Sequence, residues 1–258
     1  MYRLRQNPTM VRNPIRKAIL LGLALLAAPA AVRAEEALRL LTNDNPPFSM
    51  IAEGRRVIGI SADIVAEMAA RAGVKAEIDS YPWARAYDEA QHRADACAFS
   101  TTRTPKREAL FQWLGPIAHN PWALFARDDF PGNLPSLEAA RHYIIGGQLA
   151  EAKATYLTER GLTVDPLPDD DLNPQRLAQG RIDLWVSGLY TAPPKAAAVG
   201  IHNIKAVLVF HQAEDYLACN PGVPTATITR LRQALDSMKA DGKFDAITRQ
   251  YQPNQPID

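Results

Sequence analysis

Cysteine is scarce in this chain. The 258 residues hold two, Cys97 and Cys219, too few for a disulfide framework to replace a hydrophobic core. The five histidines, His92, His119, His142, His202 and His211, are scattered singly; none forms a pair at zinc-ligand spacing, and no metal is expected. There is no Gly-x-Ser-x-Gly elbow and no obvious carboxylate pair for a cleft, which removes the commonest hydrolase arrangements. Gly146-Gly147-Gln148 lacks the spacing of a dinucleotide fingerprint, and no cofactor is expected. Low-complexity tracts are missing, and beyond the N-terminal segment no apolar run is long enough to span a bilayer. Basic excess is missing too. Six of the 29 Lys and Arg and none of the 28 Asp and Glu fall in the first 34 residues, leaving 23 bases against 28 acids in the remainder. Such a surface argues against nucleic acid as a partner.

What is present begins with an address. Arg3, Arg5, Arg12, Arg16 and Lys17 precede an apolar run from Ala18 to Ala28, and Val32-Arg33-Ala34 offers small residues for cleavage. This reads as a signal peptide over residues 1–34, with Met10 an equally good start. The run is too short for an anchoring helix, and no Cys stands at the cleavage point to carry a lipid. The exported chain, expected in the periplasm as a monomer without membrane insertion, is long enough for one large or two small domains.

The chain's most informative stretch runs from Asp95 to Pro116. Asp95 to Phe99 is small and apolar, as a buried parallel strand requires, and gives way to Ser100, Thr101 and Thr102. Thr104 is placed to cap a helical turn with Pro105 at its first position and Arg107 on that turn. A strand that ends in hydroxyls and turns at once into a helix leaves N–H groups pointing outward, and Arg107 adds a fork of donors. That is an anion seat; on the residues alone, a surface Arg beside an ordinary cap is an equal reading.

Thr102-x-Thr104-x-x-Arg107, followed by Phe111-Gln-Trp-Leu-Gly-Pro, resembles the motif of the bacterial extracellular solute-binding proteins, family 3, which serve ABC importers of polar amino acids and similar solutes. The resemblance covers about Leu38 to Tyr251. It implies a periplasmic binding protein-like type II fold: two α/β lobes joined by a two-strand hinge, the first lobe from 36–126 and 213–258 and the second from 127–212. It also implies that Thr102 and Arg107 hold a ligand carboxylate. The two cysteines then lie in the same lobe, so a bridge is open, although their spacing alone favours two buried thiols.

The remaining segments fit alternating strands and helices. Leu38 to Leu41 runs into Asn45-Pro46-Pro47-Phe48, where the family has Tyr-x-Pro-Phe, so Asn45 replaces an aromatic wall. Ser61 is placed to cap a helix that ends at Gly73. Val74 to Ile78 precedes Pro82-Trp83-Ala84-Arg85, a variant that resembles a subgroup whose ligands are unassigned; Trp83 fits the second aromatic wall, and Arg85 faces either the cleft or Asp88 and Glu89. Gly146-Gly147-Gln148 is expected to turn into a helix from Leu149 to Arg160 and offer backbone donors. Asp169-Asp170-Asp171 reads as a solvated acidic loop. Gly188 stands where amino-acid binders of the family carry an Asp for the ligand ammonium.

The expected ligand-binding set is Asn45, Trp83, Ser100, Thr102, Arg107, Gln148, Ser187 and Tyr190, with no catalytic residue. The expected function is capture of a small, carboxylate-bearing solute for import, with an ABC permease or a membrane receptor as partner. The alternatives are a dehydratase acting on a cyclic carboxylate, for which Glu151 is the acid to test, and a sensing module for a receptor.

Overall fold

Short buried runs punctuated by Gly and Pro give twelve strands and seven helices in the computed structural model, which describes Met1, Tyr2 and residues 37–251. The signal-peptide reading lies, apart from Met1 and Tyr2, outside the described residues. In chain order the elements are β1 (Leu38–Thr42), β2 (Met50–Ile51), β3 (Val57–Ile58), α1 (Ile60–Arg71), β4 (Ala76–Ser80), α2 (Trp83–His92), β5 (Ala96–Thr102), β6 (Gln112–His119) and β7 (Trp122–Arg127). Then follow β8 (Ile145–Gln148), α3 (Ala152–Thr158), β9 (Val164–Leu167), α4 (Asn173–Ala178), β10 (Leu184–Gly188), α5 (Ala192–Ala198), β11 (Ile204–His211), β12 (Glu214–Cys219), α6 (Thr225–Ala240) and α7 (Lys243–Tyr251).

Two five-stranded sheets result, ordered β4-β1-β5-β12-β6 and β11-β7-β10-β8-β9. Each is mainly parallel with one reversed strand, β12 in the first sheet and β7 in the second. Both reversed strands are the ones entered directly from the other sheet: the chain passes from β6 to β7 through Asn120 and Pro121, and from β11 to β12 through Gln212 and Ala213. The boundary read from the sequence after residue 126 falls inside β7, whose partners are β10 and β11 of the second sheet.

Every residue of β5 is buried, as the central strand of a sheet covered on both faces must be. One cover is α1, α6 and α7, whose Ile64, Met68, Leu231, Leu235 and Ile247 pack with Leu40, Phe99 and Leu217. Helix α1 starts differently from expectation. Gly59, with φ 124°, is its N-cap, and Ser61 lies inside the helix, buried. A Cβ at Gly59 would stand 2.7 Å from the carbonyl oxygens of Pro47 and Phe48, so only glycine lets the helix start against that loop. In the second sheet, Gly146 and Gly147 are strand residues rather than a turn. A Cβ on Gly146 would meet Ile182 at 2.4 Å and Asn173 at 2.7 Å; these glycines serve close packing, and the helix after them begins only at Ala152.

Cys97 and Cys219 are direct partners across β5 and β12 and form a disulfide. The reading as two free thiols is thereby corrected: sequence spacing carries no register, and the register places them face to face. The bridge spans a sequence separation of 122 residues, so it removes much freedom from the unfolded chain. The Cys97→Ala/Cys219→Ala variant is expected to lose about 2–4 kcal/mol, read as a lower midpoint in denaturant unfolding.

Candidate functional site

The cleft begins at the carboxyl end of β5, where open α/β sheets gather ligands. The β5–β12 ladder slips there: Tyr216 pairs Thr101, whereas Ala218 pairs Ala98. The extra residue on β5 is absorbed at Ser100, a non-glycine with φ 54°, the kind of strained position a bulge concentrates beside a site. Ser100 Oγ is buried and has no hydrogen-bond partner among the described residues. Beyond the bulge Thr102 pairs with Asp215, and its hydroxyl donates to Asp215 Oδ1 at 2.9 Å.

The helix expected after Thr104 does not form. Residues 105–107 make a turn closed by Arg107 N donating to Thr104 O at 2.9 Å, and a single 3-10 turn follows at Glu108–Leu110. The donors at this site therefore belong to the Arg107 side chain rather than to a helix end. Arg107 is 7% exposed. Its Nη1 donates to Thr102 O at 3.2 Å and its Nη2 to Ala150 O at 3.0 Å. Its guanidinium carbon lies 4.6 Å from the Tyr87 ring centroid and 5.9 Å from that of Trp83, a geometry that favours a cation held out of water.

Ala150 belongs to the opposite side of the cleft, on the turn between β8 and α3, and is itself left-handed with φ 63°. Its carbonyl also accepts the Trp83 indole N–H at 3.2 Å. Trp83, 1% exposed, thus meets the second lobe through its edge. Next to Ala150, Glu151 pairs with Lys153 at 2.7 Å. Burial pushes the Glu151 carboxyl up, but Lys153 and Arg107 together pull it below the ordinary carboxylate range. Asp215 behaves oppositely. Burial pushes it up to about 7, against the Thr102 hydroxyl, Lys153 and Arg107, while Glu151 adds to the rise. Lys106 on the Arg107 turn pairs with Glu159 at the end of α3.

A second set of contacts joins the lobes further along. Asn45 Oδ1 accepts the Thr191 hydroxyl at 3.0 Å, and Thr191 Oγ1 accepts from Asn120 Nδ2 at 3.2 Å. Asn120 in turn fills the space above Gly188, where a Cβ would stand 2.3 Å from its amide atoms. An Asp at 188 has no room while Asn120 holds this place. Ser187, beside Gly188, is fully buried, and neither its Oγ nor Asn120 Oδ1 has a partner among the described residues. Tyr190 packs against the core of the first lobe. Gln148 ends β8 and is buried. Asp44, next to Asn45, lies in the field of Lys195 and Asp171; burial raises its carboxyl, Lys195 opposes the rise and Asp171 adds to it.

The structure thus brings Trp83, Thr102 and Arg107 together through the Ala150 and Thr102 carbonyls, and Asn45 to the neighbourhood of Ser187 and Gly188 through Thr191 and Asn120. Of the two readings left open for Arg85, the structure shows the pairing on the helix: it pairs with Glu89 at 2.8 Å and lies over the Tyr81 ring. One expectation is corrected. Asp170 is no solvated loop acid: it is buried, accepts from Trp185 Nε1 and Asn173 Nδ2 at 3.0 and 2.9 Å, and faces Lys195. The sequence reading missed Lys153, Asn120, Thr191 and Asp215. Of these only Asp215 left a local sign, an acid in the buried alternation of a strand whose later residues are apolar.

Two mainly parallel sheets joined by two chain crossings, with the Arg107 guanidinium and the Asp215 carboxyl buried, make the two-lobed type II periplasmic binding protein architecture. The chain belongs to the bacterial extracellular solute-binding proteins, family 3, whose family model matches residues 38–254. The amino-acid-binding protein AabA of Dichelobacter nodosus is 26% identical over 166 residues, covering 63% of this chain and 66% of that protein, just under two thirds of its length. Among solved structures, a histidine kinase sensor domain with similarity to periplasmic binding proteins superposes with a TM-score of 0.78 at 18% identity, covering 84% of this chain and 96% of the other. The arginine-, lysine-, histidine-binding protein ArtJ of Geobacillus stearothermophilus gives 0.75 at 14% identity, covering 85% and 96%.

Two outcomes follow from this geometry. Gly188→Ala is expected to cost about 1–3 kcal/mol by overpacking against Asn120, and adding Asn120→Ala should relieve part of that loss in denaturant unfolding. For Asp215 the folded state keeps a proton that the unfolded chain gives up, so its contribution to stability is present below the unfolded value of 3.8 and is lost as pH rises to about 7. Asp215→Asn should therefore gain stability relative to the wild type on going from about pH 4.5 to about pH 7.5, as followed by thermal unfolding.

Proposed function

We propose that this chain is a periplasmic receptor that captures a small carboxylate-bearing solute, an amino acid or a relative of one, between its lobes for ABC-type import. The observation that carries the reading is Arg107, buried, without an acid in ion-pair contact among the described residues, and bonded to one carbonyl on each side of the cleft. A ligand carboxylate taking the place of the Ala150 carbonyl gives this guanidinium an ionised acceptor, a bond roughly twice as strong as a neutral one. Ser100 orients the anion from the first lobe, Thr102 orients Arg107 toward it through its carbonyl and Trp83 walls it, while Gln148, Ser187 and Tyr190 close from the second. Asn45 acts through Thr191. The lobes are the two sheets with their helices, and closure works because the solute contacts both.

Family membership supports the receptor reading, and so does the amino-acid-binding relative. Export by the basic and apolar N-terminal segment supports the periplasm, where the protein acts as a monomer. An enzymatic role for Glu151 is disfavoured: its ion pair with Lys153 holds it ionised, without a proton to give. Sensing for a membrane receptor is the second reading, favoured by the likeness to a histidine kinase sensor domain over most of this chain; deletion of the protein would then abolish a response rather than uptake.

The test is a thermal-shift screen of protein unfolded and refolded to strip carried-over solute, with amino acids, dicarboxylates, cyclic carboxylates, polyamines and sugars. A carboxylate is expected to raise the midpoint and to be recovered unchanged by mass spectrometry. Arg107→Ala is expected to weaken its binding by about 2–5 kcal/mol; unchanged affinity would remove Arg107 from the site. Consumption of the solute would replace the receptor with an enzyme, and Asp215 rather than Glu151 would then be the acid suited to proton transfer.

A further inference from the structure

Beside the anion seat stands an acid that makes no ion pair with any cation among the described residues. Asp215, the second residue of β12, lies opposite Thr102, is 4% exposed, and is held by the Thr102 hydroxyl. Among the described residues it makes no ion pair. The two cations whose fields reach it are engaged elsewhere: Lys153 is bound to Glu151 at 2.7 Å, and Arg107 gives its terminal nitrogens to the carbonyls of Thr102 and Ala150. A buried carboxylate that gains no cation keeps its proton instead of ionising, in line with the rise of Asp215 to about 7.

One buried cation without an acid and one buried acid without a cation therefore flank a single residue. Thr102 offers its carbonyl to Arg107 and its hydroxyl to Asp215, and the β5–β12 ladder fixes both positions. Their missing partners are complementary, an anionic group for one and a cationic nitrogen for the other, held close together. A simple carboxylate meets half of this demand. A zwitterion meets all of it. The second lobe does not compete for the nitrogen at Gly188, where Asn120 fills the space, and Glu151 already has its cation.

We infer that Asp215 is the seat for the ligand's cationic nitrogen, so that the captured solute is a zwitterion with its carboxylate on Arg107 and its ammonium on Asp215. The inference rests on the carboxylate reading of Arg107. It has a consequence in protons: a cation beside Asp215 favours the ionised carboxylate, so binding below neutral pH releases a proton, and affinity rises with pH toward neutrality.

The experiment compares the twenty L-amino acids with their 2-hydroxy acid counterparts on the stripped protein, by thermal shift and then calorimetry at about pH 7.5. A pair member that binds is expected to favour the amino acid by about tenfold to a hundredfold, the worth of a charged hydrogen bond. Asp215→Asn should erase that preference and leave the hydroxy acid's affinity in place. Calorimetry near pH 6 in buffers of different ionisation enthalpy should show release of up to one proton with the amino acid and none with the hydroxy acid; this wild-type reading decides the matter if the variant does not fold. Preference retained in Asp215→Asn, or no proton released by the wild type, would overturn the assignment of Asp215 while leaving the carboxylate reading intact. Failure of every amino acid and hydroxy acid to bind the wild type would overturn both.

Discussion

A guanidinium taken out of water governs the interior of this cleft. Arg107 cannot shed its charge, so every group near it is arranged to accept from it, to stack on it, or to balance its field. The Thr102 and Ala150 carbonyls accept, the Tyr87 and Trp83 rings lie within cation–π distance, and Glu151 lends its field from the other lobe. Because one of the two carbonyls belongs to each lobe, a single desolvated side chain bridges the two sheets, alongside the Trp83–Ala150, Lys106–Glu159 and Asn45–Thr191 contacts. The Arg107 bridge is polar and exchangeable, which suits surfaces that part and meet again.

Backbone strain stands on both sides of the same contact. Ser100 and Ala150 are two of the three non-glycine residues with positive φ among those described, one at the β5 bulge and one on the turn after β8. Neither conformation is favoured by its own side chain. Each is maintained by its surroundings: the bulge re-aims the end of β5, and the turn directs one carbonyl at both Trp83 and Arg107. Local strain and buried charge here serve one geometry.

The fold was largely legible because strand and helix periods are local properties, and the alternation of β4, α2 and β5 or of β8, α3 and β9 is written in neighbouring residues. Arg107 and Thr102 were legible for the same reason, as a short motif. What escaped depends on register. Thr102 meets Asp215 across 113 positions, and the cysteines meet across 122; no local pattern encodes either meeting. The helix expected at Thr104 failed although the capping residues were suitable, because the segment turns after one 3-10 turn to feed β6. Asp170 looked solvated among two other acids, yet Trp185 and Lys195 claim it from elements that follow in the chain. The glycine at 188 was noticed as a departure; that Asn120 fills its place became visible only once β7 lay against β10.

The crossing pattern also orders the events of synthesis. A chain that emerges amino end first has all five strands of the second sheet in hand once residue 211 has appeared, since β7 to β11 are consecutive. The first sheet must wait, because β12 inserts between β5 and β6, which were made about a hundred residues earlier. Its contacts are of higher sequence separation and form later on average. The half of the molecule translated second is thus topologically free to finish first, while β1, β4, β5 and β6 hold an open slot for the strand that carries both Asp215 and the second cysteine.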